Sequence, residues 1–292
     1  AAPARSSPEA IRSRVPASQP VAPPSPLALQ IEAMIASGSL TGPPGSSTAW
    51  DLFERLSREP NSSEIVARLR PKLGAALISS GRAIVAGDVR SDNISEKIED
   101  FRRAGQLFSR ARSLMPDNAE AQALEKLSAS AALIALQFYD EAERSLSQIE
   151  GARLAAVENA LGIVYRGKFD DYRAERAFKR AIDLDPGWAS PHYNLALLYK
   201  SQKREEALEH LSRAAALDAS NPHLHLALGD EHFERQQWQQ AIEAYRRAVS
   251  LKPDDDVPHT KLGHALYSSG LHEEANREYQ KAAELRKRDG RR

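Results

Sequence analysis

The sequence contains no cysteine, only 2 methionines in 292 residues, and few aromatic residues, 6% of the total. Without cysteine the chain cannot form a disulfide framework, a thiolate zinc site or a cysteine nucleophile. Exported and cytosolic proteins can both lack cysteine. The sequence therefore does not choose between a cytoplasmic location and the periplasmic or extracellular side of an anchored protein.

The sequence also lacks net charge and long apolar runs. Its 40 Lys+Arg residues balance 40 Asp+Glu residues, so no overall field would attract nucleic acid or an anionic membrane. The longest apolar stretches, such as Ala131 to Leu136, are far too short for a membrane span. We expect no nucleic-acid partner and no membrane span in this chain, although a membrane tether outside it is compatible with these features.

The first 26 residues differ in composition from the rest of the chain. They hold seven proline, six alanine and five serine residues, which cannot build a buried face. We predict a disordered tether over residues 1–26. From Leu27 onward, helical periodicity broken by short Gly/Pro/Asn/Asp turns predicts an all-α fold.

Four segments after residue 155 repeat at intervals of 34, 33 and 34 residues. Each has a small residue on its first helix, two alanines flanking a large residue on its second helix, and a closing leucine. The small residues are Gly162, Ala196, Gly229 and Gly263. The alanines are Ala174, Ala207, Ala241 and Ala275, then Ala181, Ala214, Ala248 and Ala282. The large residues are Phe178, Leu211, Tyr245 and Tyr279, and the closing leucines are Leu184, Leu217, Leu251 and Leu285.

This pattern resembles the tetratricopeptide (TPR) repeat. The resemblance implies a right-handed α-solenoid of stacked antiparallel helix pairs, and the small residues independently favour close helix packing. It is close over residues 155–289, which we interpret as four repeats, and degenerate over 27–154, with an insertion near residues 89–98. Residues 290–292 are the end of a basic tail.

The sequence contains fragments of catalytic and ligand-binding motifs, but the residues around each fragment argue against that function. Gly162 to Lys168 has the spacing of a phosphate-binding P-loop, but Phe169 replaces its Ser or Thr and no strand precedes it. All eight histidines lie between His192 and His272, and their repeat phase predicts packing rather than metal ligation. We expect neither a cofactor nor a metal, and we do not expect an enzyme.

The TPR resemblance implies that the first helix of each pair lines a concave surface that binds a peptide or a helix of a protein partner. Repeat phase gives candidate peptide-binding residues from each repeat. These are Asn159, Ile163, Arg166, Tyr193, Asn194, Leu197, Lys200, His223, Leu226, Asp230, Phe233, Lys261, His264 and Tyr267. An equally open interpretation for each residue is that it packs between helices.

The chaperone-binding class of TPR domains is a poor match. These domains clamp a terminal carboxylate with Lys and Asn on the first repeat, Asn on the second, and Lys and Arg on the third. Only Asn194 matches, because the first repeat offers Asn159 and Ile163 and the third offers His223 and Ala227. We therefore do not expect a carboxylate clamp for chaperone tails.

Two functional hypotheses follow. The first is a non-enzymatic adaptor or scaffold that binds a partner's peptide or helix in the concave groove. The alternative is a regulatory or sensory domain of a larger enzyme or membrane protein whose catalytic part lies outside this chain. A fold alone does not choose between them.

Overall fold

A computed structural model describes residues 25–42, 47–86, 94–149, 154–288 and 290. All regular secondary structure in these residues is helical, as the sequence predicted. The chain divides into two compact units, Ala1–Val66 and Ala67–Arg292. No helix within the described ranges is long and apolar enough to cross a membrane.

The helices follow one another with short connections. They are α1 (Pro26–Ser37), α2 (Ala49–Ser57), α3 (Ser63–Ala86), α4 (Ile94–Leu114), α5 (Ala119–Ala135), α6 (Tyr139–Ser147), α7 (Ala155–Gly167), α8 (Asp171–Leu184), α9 (Ala189–Ser201), α10 (Glu206–Leu217), α11 (Pro222–Glu234), α12 (Trp238–Leu251), α13 (Asp256–Ser268) and α14 (His272–Arg288).

The first unit contains the helix pair α1–α2. Gly38 follows the last residue of α1, and its φ of 77° lies in the left-handed region that glycine adopts at little steric cost. Thr48 caps the N-terminus of α2, where its hydroxyl oxygen accepts a hydrogen bond from the Asp51 amide. Ile31 of α1 and Phe53 of α2 are buried.

The second unit is an all-α solenoid of consecutive helix pairs. Helices α7–α8, α9–α10, α11–α12 and α13–α14 pack as pairs, and each second helix also packs against the first helix of the next pair. Between α12 and α13, for example, Ala241, Tyr245, Leu262 and Leu266 share one buried cluster. The core therefore runs along the stack, each pair covering the apolar side of its neighbour.

The close approach within three of the four pairs from α7 to α14 depends on a glycine that faces an aromatic ring. A Cβ placed on Gly229 or Gly263 would lie 2.5 Å from a ring carbon of Tyr245 or Tyr279, and one on Gly162 would overlap the Phe178 ring. If a larger residue replaced one of these glycines, the facing ring would have to move. The sequence prediction that Gly162 packs small inside a repeat helix is confirmed.

The turns inside the pairs from α5–α6 to α13–α14 share one backbone conformation. Each contains a residue with positive φ between its two helices, and only one of these residues is glycine. They are Gln137 (φ 63°), Phe169 (φ 60°), Lys203 (φ 56°), Gln236 (φ 59°) and Gly270 (φ 86°). The second repeat is one residue short, as predicted, and the missing residue falls between Lys203 and Ala207.

Helices α3 and α4 repeat the ring-on-glycine contact at a different sequence spacing. A Cβ on Gly81 would lie 2.5 Å from a ring carbon of Phe108. The ring follows its glycine by 27 residues here and by 16 in the regular repeats. Gly74, also on α3, instead faces Met115.

Three features expected from the sequence fall largely outside the described residues. Residues 1–24 of the expected tether are not described, and α1 begins at Pro26. Of the expected insertion near residues 89–98, residues 89–93 are not described, and α4 begins at Ile94. Of the expected tail end, residues 291–292 are likewise not described.

Candidate functional site

The second unit contains a cavity of about 520 Å³ that is open to one side of the stacked first helices. Helices α5, α7, α9, α11 and α13 supply most of its lining. Most of the residues chosen by repeat phase lie there. They are Asn159, Ile163, Arg166, Tyr193, Asn194, Leu197, His223, Leu226, Asp230 and Lys261.

One end of the cavity is apolar and was not predicted. Its lining comes from α3, α4, α5 and the start of α7, where the repeat pattern is degenerate. The residues are Val85, Phe101, Leu127, Ala131, Ile134, Ala135, Ala156 and Ala160. Trp188, Ser190 and Val257 add further lining from the starts of α9 and α13. An aliphatic side chain entering this end would be removed from water.

Polar contacts join successive first helices along the same face. Each contact spans from one repeat to the next, so it fixes the relative positions of the helices that line the cavity. The contacts are Asn194 Nδ2 to Asn159 Oδ1 at 3.0 Å, Lys200 Nζ to Glu234 Oε1 at 2.7 Å, and Lys261 Nζ to Asp230 Oδ1 at 2.7 Å.

Asp230 is the carboxylate among the described residues that line the cavity, and it has two hydrogen-bonding partners. Besides the Lys261 contact, it accepts a hydrogen bond of 2.7 Å from the buried Tyr245 hydroxyl. Burial, followed by the hydrogen bond to this carboxylate, raises the pKa of Tyr245 well above its usual range. Tyr245 thus joins the packing of α12 to the polar lining of α11.

Arg166 lies in the last turn of α7 and also lines the cavity. Burial lowers the pKa of its guanidinium, and the nearby Tyr193 and Tyr139 act weakly in the opposite direction. Arginine nevertheless stays protonated at neutral pH because its ordinary pKa is so high. The cavity therefore contains a partly buried positive charge.

Four of the candidate residues do not line the cavity. Lys200 bonds Glu234, and the Phe233 ring meets the Trp238 ring edge-on at 5.1 Å. The other two are exposed on α13, His264 with its ring 5.6 Å from that of Tyr279 and Tyr267 with its ring 4.7 Å from that of His272. Their role in peptide binding stays a prediction.

The histidines at equivalent repeat positions pack between elements. His192 Nδ1 lies 3.0 Å from His210 Nδ1, His225 Nε2 lies 3.1 Å from the Ala219 carbonyl oxygen, and His259 Nδ1 lies 2.6 Å from a Glu278 carboxylate oxygen. No group of three or more potential ligands suited to a metal ion occurs within the described part of the chain. Each of these histidines has a local hydrogen-bonding partner, which the packing interpretation accounts for.

The family comparison bears on the repeats directly. A family model described as TPR repeat matches residues 229–270, which run from the end of α11 through α12 to the turn after α13. The matched residues include the Gly229–Tyr245 contact and the left-handed turn residues Gln236 and Gly270. The chain is a TPR repeat protein.

Solved structures agree with the TPR array at the level of the fold. A crystal structure of MamA is 23% identical, with a TM-score of 0.50, covering 56% of this chain and 97% of the chain in that structure. A double mutant of MamA RS-1 is 22% identical, with a TM-score of 0.51, covering 57% of this chain and 96% of the chain in that structure. Comparison with curated protein sequences gave no match. At this identity the likeness concerns the fold alone.

Proposed function

We propose that this TPR array is a non-enzymatic protein-interaction scaffold whose cavity binds a peptide or a helix of a protein partner. The observation that carries the proposal is the cavity itself, which is about 520 Å³ in volume and is lined by the first helices of successive pairs. Its mixture of apolar, amide, aromatic and charged side chains suits a peptide, because backbone and side chains need different contacts.

The polar contacts between repeats support binding by a preorganised surface. Asn194, Asp230 and Lys261 are held by neighbouring repeats before any partner arrives. Binding a partner would then order few additional side chains, which limits the entropy loss. Tyr193 adds aromatic area at low conformational cost.

The same lining favours binding over catalysis. Asp230, the carboxylate in the cavity, accepts hydrogen bonds from both Lys261 and Tyr245. Because these partners already occupy its oxygens, it is poorly placed to act as a base or a nucleophile. The clamp positions of chaperone-binding TPR domains remain unmatched except at Asn194. The proposed partner is therefore a protein segment other than a chaperone tail held by such a clamp.

We also propose a division of the chain by repeat regularity. Residues 155–289 would be four TPR repeats, and residues 27–154 degenerate helix pairs of the same kind. Residues 1–26 would be a tether whose composition disfavours a buried face.

The test uses the full chain as bait and a triple variant, Tyr193→Ala, Asn194→Ala and Lys261→Ala. Proteins captured from lysate are identified by mass spectrometry, and the affinity of each for both baits is then measured. We expect the triple variant to lose about 2–4 kcal/mol of binding free energy, because aromatic and central polar contacts dominate such interfaces. Its helical circular dichroism should persist.

A matched control removes the same side-chain types from second helices or their ends. Tyr172→Ala, Gln239→Ala and Lys252→Ala change exposed residues on α8, on α12 and just after α12. This control should bind like the wild type. Equal affinities of the wild type and a folded groove variant would contradict the proposal.

A further inference from the structure

Arg166 differs from the other cations along this face because its charge is not neutralised. Lys200 and Lys261 each contact a carboxylate of the next repeat or the previous one, at 2.7 Å. Lys168, on the same helical turn as Arg166, contacts Asp140 and Glu143 at 2.6 Å each. Among the described residues, no carboxylate forms an ion pair with Arg166.

The surroundings of Arg166 make this unpaired charge unfavourable in the free protein. The side chain is partly buried against the cavity wall, and the titratable groups that act on it are the phenols of Tyr193 and Tyr139. Neither side chain is a carboxylate, so neither forms an ion pair with the guanidinium. A partly buried cation without a counter-ion loses hydration without gaining an ion pair.

The cavity that Arg166 lines also has the apolar end described above, which includes Leu127 and Ile134 of α5. Ile163 lines the cavity beside the charge, because it lies three residues before Arg166 on the same face of α7. A ligand that fills the cavity therefore meets a guanidinium and an aliphatic surface at once. Carboxylates match the guanidinium geometry because two oxygens can accept two parallel N–H bonds.

We infer that the cavity selects a partner segment in which an Asp or Glu side chain pairs with Arg166 while neighbouring aliphatic side chains enter the apolar end. This inference rests on the proposed function and specifies the partner's chemistry. It differs from the clamp of chaperone-binding TPR domains, since Arg166 is none of the clamp positions. The chain's own first 24 residues are a poorer match because Arg5, Arg12 and Arg14 outnumber Glu9 there.

The test selects a phage-displayed library of random 12-residue peptides on the immobilised full chain. The selected peptides are synthesised, and their affinities are measured by fluorescence anisotropy. We expect Asp or Glu beside Leu, Ile or Val in the selected sequences. Arg166→Gln should weaken their binding by about tenfold or more, the usual effect of losing a charged hydrogen-bond partner.

Lys168→Gln is the matched control, since it removes one positive charge from the same helical turn outside the cavity. It should change affinity by less than about twofold, because Lys168 does not line the cavity and its charge is already paired with Asp140 and Glu143. Arg166→Glu should disfavour acidic peptides further and select Lys or Arg in their place. An unchanged acidic preference in Arg166→Glu would overturn the inference.

Stability supplies a readout that needs no ligand. Arg166→Gln removes an uncompensated charge and should raise the urea midpoint or leave it unchanged, whereas Lys168→Gln leaves two carboxylates without their lysine and should lower it. A clear fall for Arg166→Gln would identify Arg166 as a structural residue and overturn the inference.

The remaining outcomes separate the inference from the proposed function. Peptides that bind the wild type and Arg166→Gln equally, but not the Tyr193/Asn194/Lys261 triple variant, would leave groove binding intact and overturn the role of Arg166. Peptides that bind all variants equally, or no selected peptides, would overturn both.

Two further arms identify the source of the carboxylate. Amidating the peptide C-terminus should leave affinity unchanged, and a loss would assign the pairing to a terminal carboxylate instead. A synthetic peptide of residues 1–24 should not compete. Arg166-dependent competition by that peptide would make the chain's own segment the occupant and overturn the inference of a separate partner.

Discussion

The pairs α7–α8 and α9–α10 fill the space between their two helices with different residues. In α7–α8 the Phe178 ring lies against Gly162, and both side-chain positions are buried. At the equivalent positions of α9–α10 stand Ala196 and Leu211, which are also buried. The methyl group that Ala196 adds to the first helix is accompanied by Leu211 on the second helix, which is smaller than phenylalanine. The repeat thus constrains the combined size of two residues rather than either residue alone.

The pair α9–α10 differs in a second way. It contains a half-buried contact between His192 and His210, whose Nδ1 atoms are 3.0 Å apart. Burial lowers the pKa of both histidines, that of His192 to about 4. One helix pair of the array is therefore expected to be sensitive to acid through groups that α7–α8 lacks at these positions.

The largest expected effect tests whether α3–α4 belongs in this comparison. Phe108 and Phe178 are both fully buried, so Phe108→Ala and Phe178→Ala should each lower the free energy of unfolding by about 3–5 kcal/mol. Urea unfolding followed by circular dichroism measures both. Phe138→Ala is the control, since that ring is 53% exposed. A loss for Phe108→Ala no larger than the control's would separate α3–α4 from the regular pairs.

The second effect is the pH dependence of α9–α10. The pKa of His192 is about 4 in the folded chain and near 6.5 when unfolded, so the unfolded chain takes up the proton first as pH falls. Stability is fully present above pH 6.5 and is lost progressively towards pH 4, by about 3 kcal/mol. Unfolding free energies at several pH values measure this. His192→Phe should reduce the dependence of the unfolding free energy on pH. If the variant and the wild type lose stability in parallel as pH falls, residues other than His192 cause the acid sensitivity.

The third effect converts one pair into the other. Gly162→Ala adds a methyl group that would overlap the Phe178 ring. We expect the free energy of unfolding to fall by about 1–3 kcal/mol because of this overpacking. Adding Phe178→Leu recreates the Ala196 and Leu211 combination and should recover most of that loss. The double-mutant cycle gives the coupling energy. Additive losses would show that the two positions do not share the space.

The sequence predicted the regular repeats because their contacts recur at one spacing. Glycine and aromatic residue are 16 apart in three repeats, at 162 and 178, 229 and 245, and 263 and 279. The contact of Gly81 with Phe108 was missed because its longer connection changes that spacing, although the local packing is the same. A pattern in sequence detects a contact only while the chain between its partners keeps its length.

The candidate site was predicted unevenly for a related reason. Repeat phase placed Asn159, Tyr193 and Asp230 on the cavity side of their helices. It gave no residue of the apolar end, since Leu127 and Ile134 lie where no phase could be assigned. Periodicity also identifies a facing position without its partner, so the pairing of Lys261 with Asp230 needed the structure.

The smallest expected effect concerns the turns inside the pairs. Phe169 and Gly270 occupy the same left-handed position in α7–α8 and α13–α14, with φ of 60° and 86°. A side chain there costs roughly 1–2 kcal/mol, which the greater entropy of unfolded glycine offsets in part. Because Phe169 is 93% exposed, Phe169→Gly should lose little packing and raise stability by about 0.5–1 kcal/mol.

Two variants decide whether backbone conformation is the cause of that gain. Phe169→Ala removes the ring but keeps a Cβ at positive φ, so it should give no gain. Gly270→Ala introduces a Cβ at the equivalent turn, where nothing lies within 4 Å of it, and should lower stability by about 1 kcal/mol through backbone strain alone. All three are measured by urea unfolding at pH 7. If Phe169→Ala stabilises the chain as much as Phe169→Gly, the exposed ring rather than the left-handed backbone accounts for the difference between the two turns.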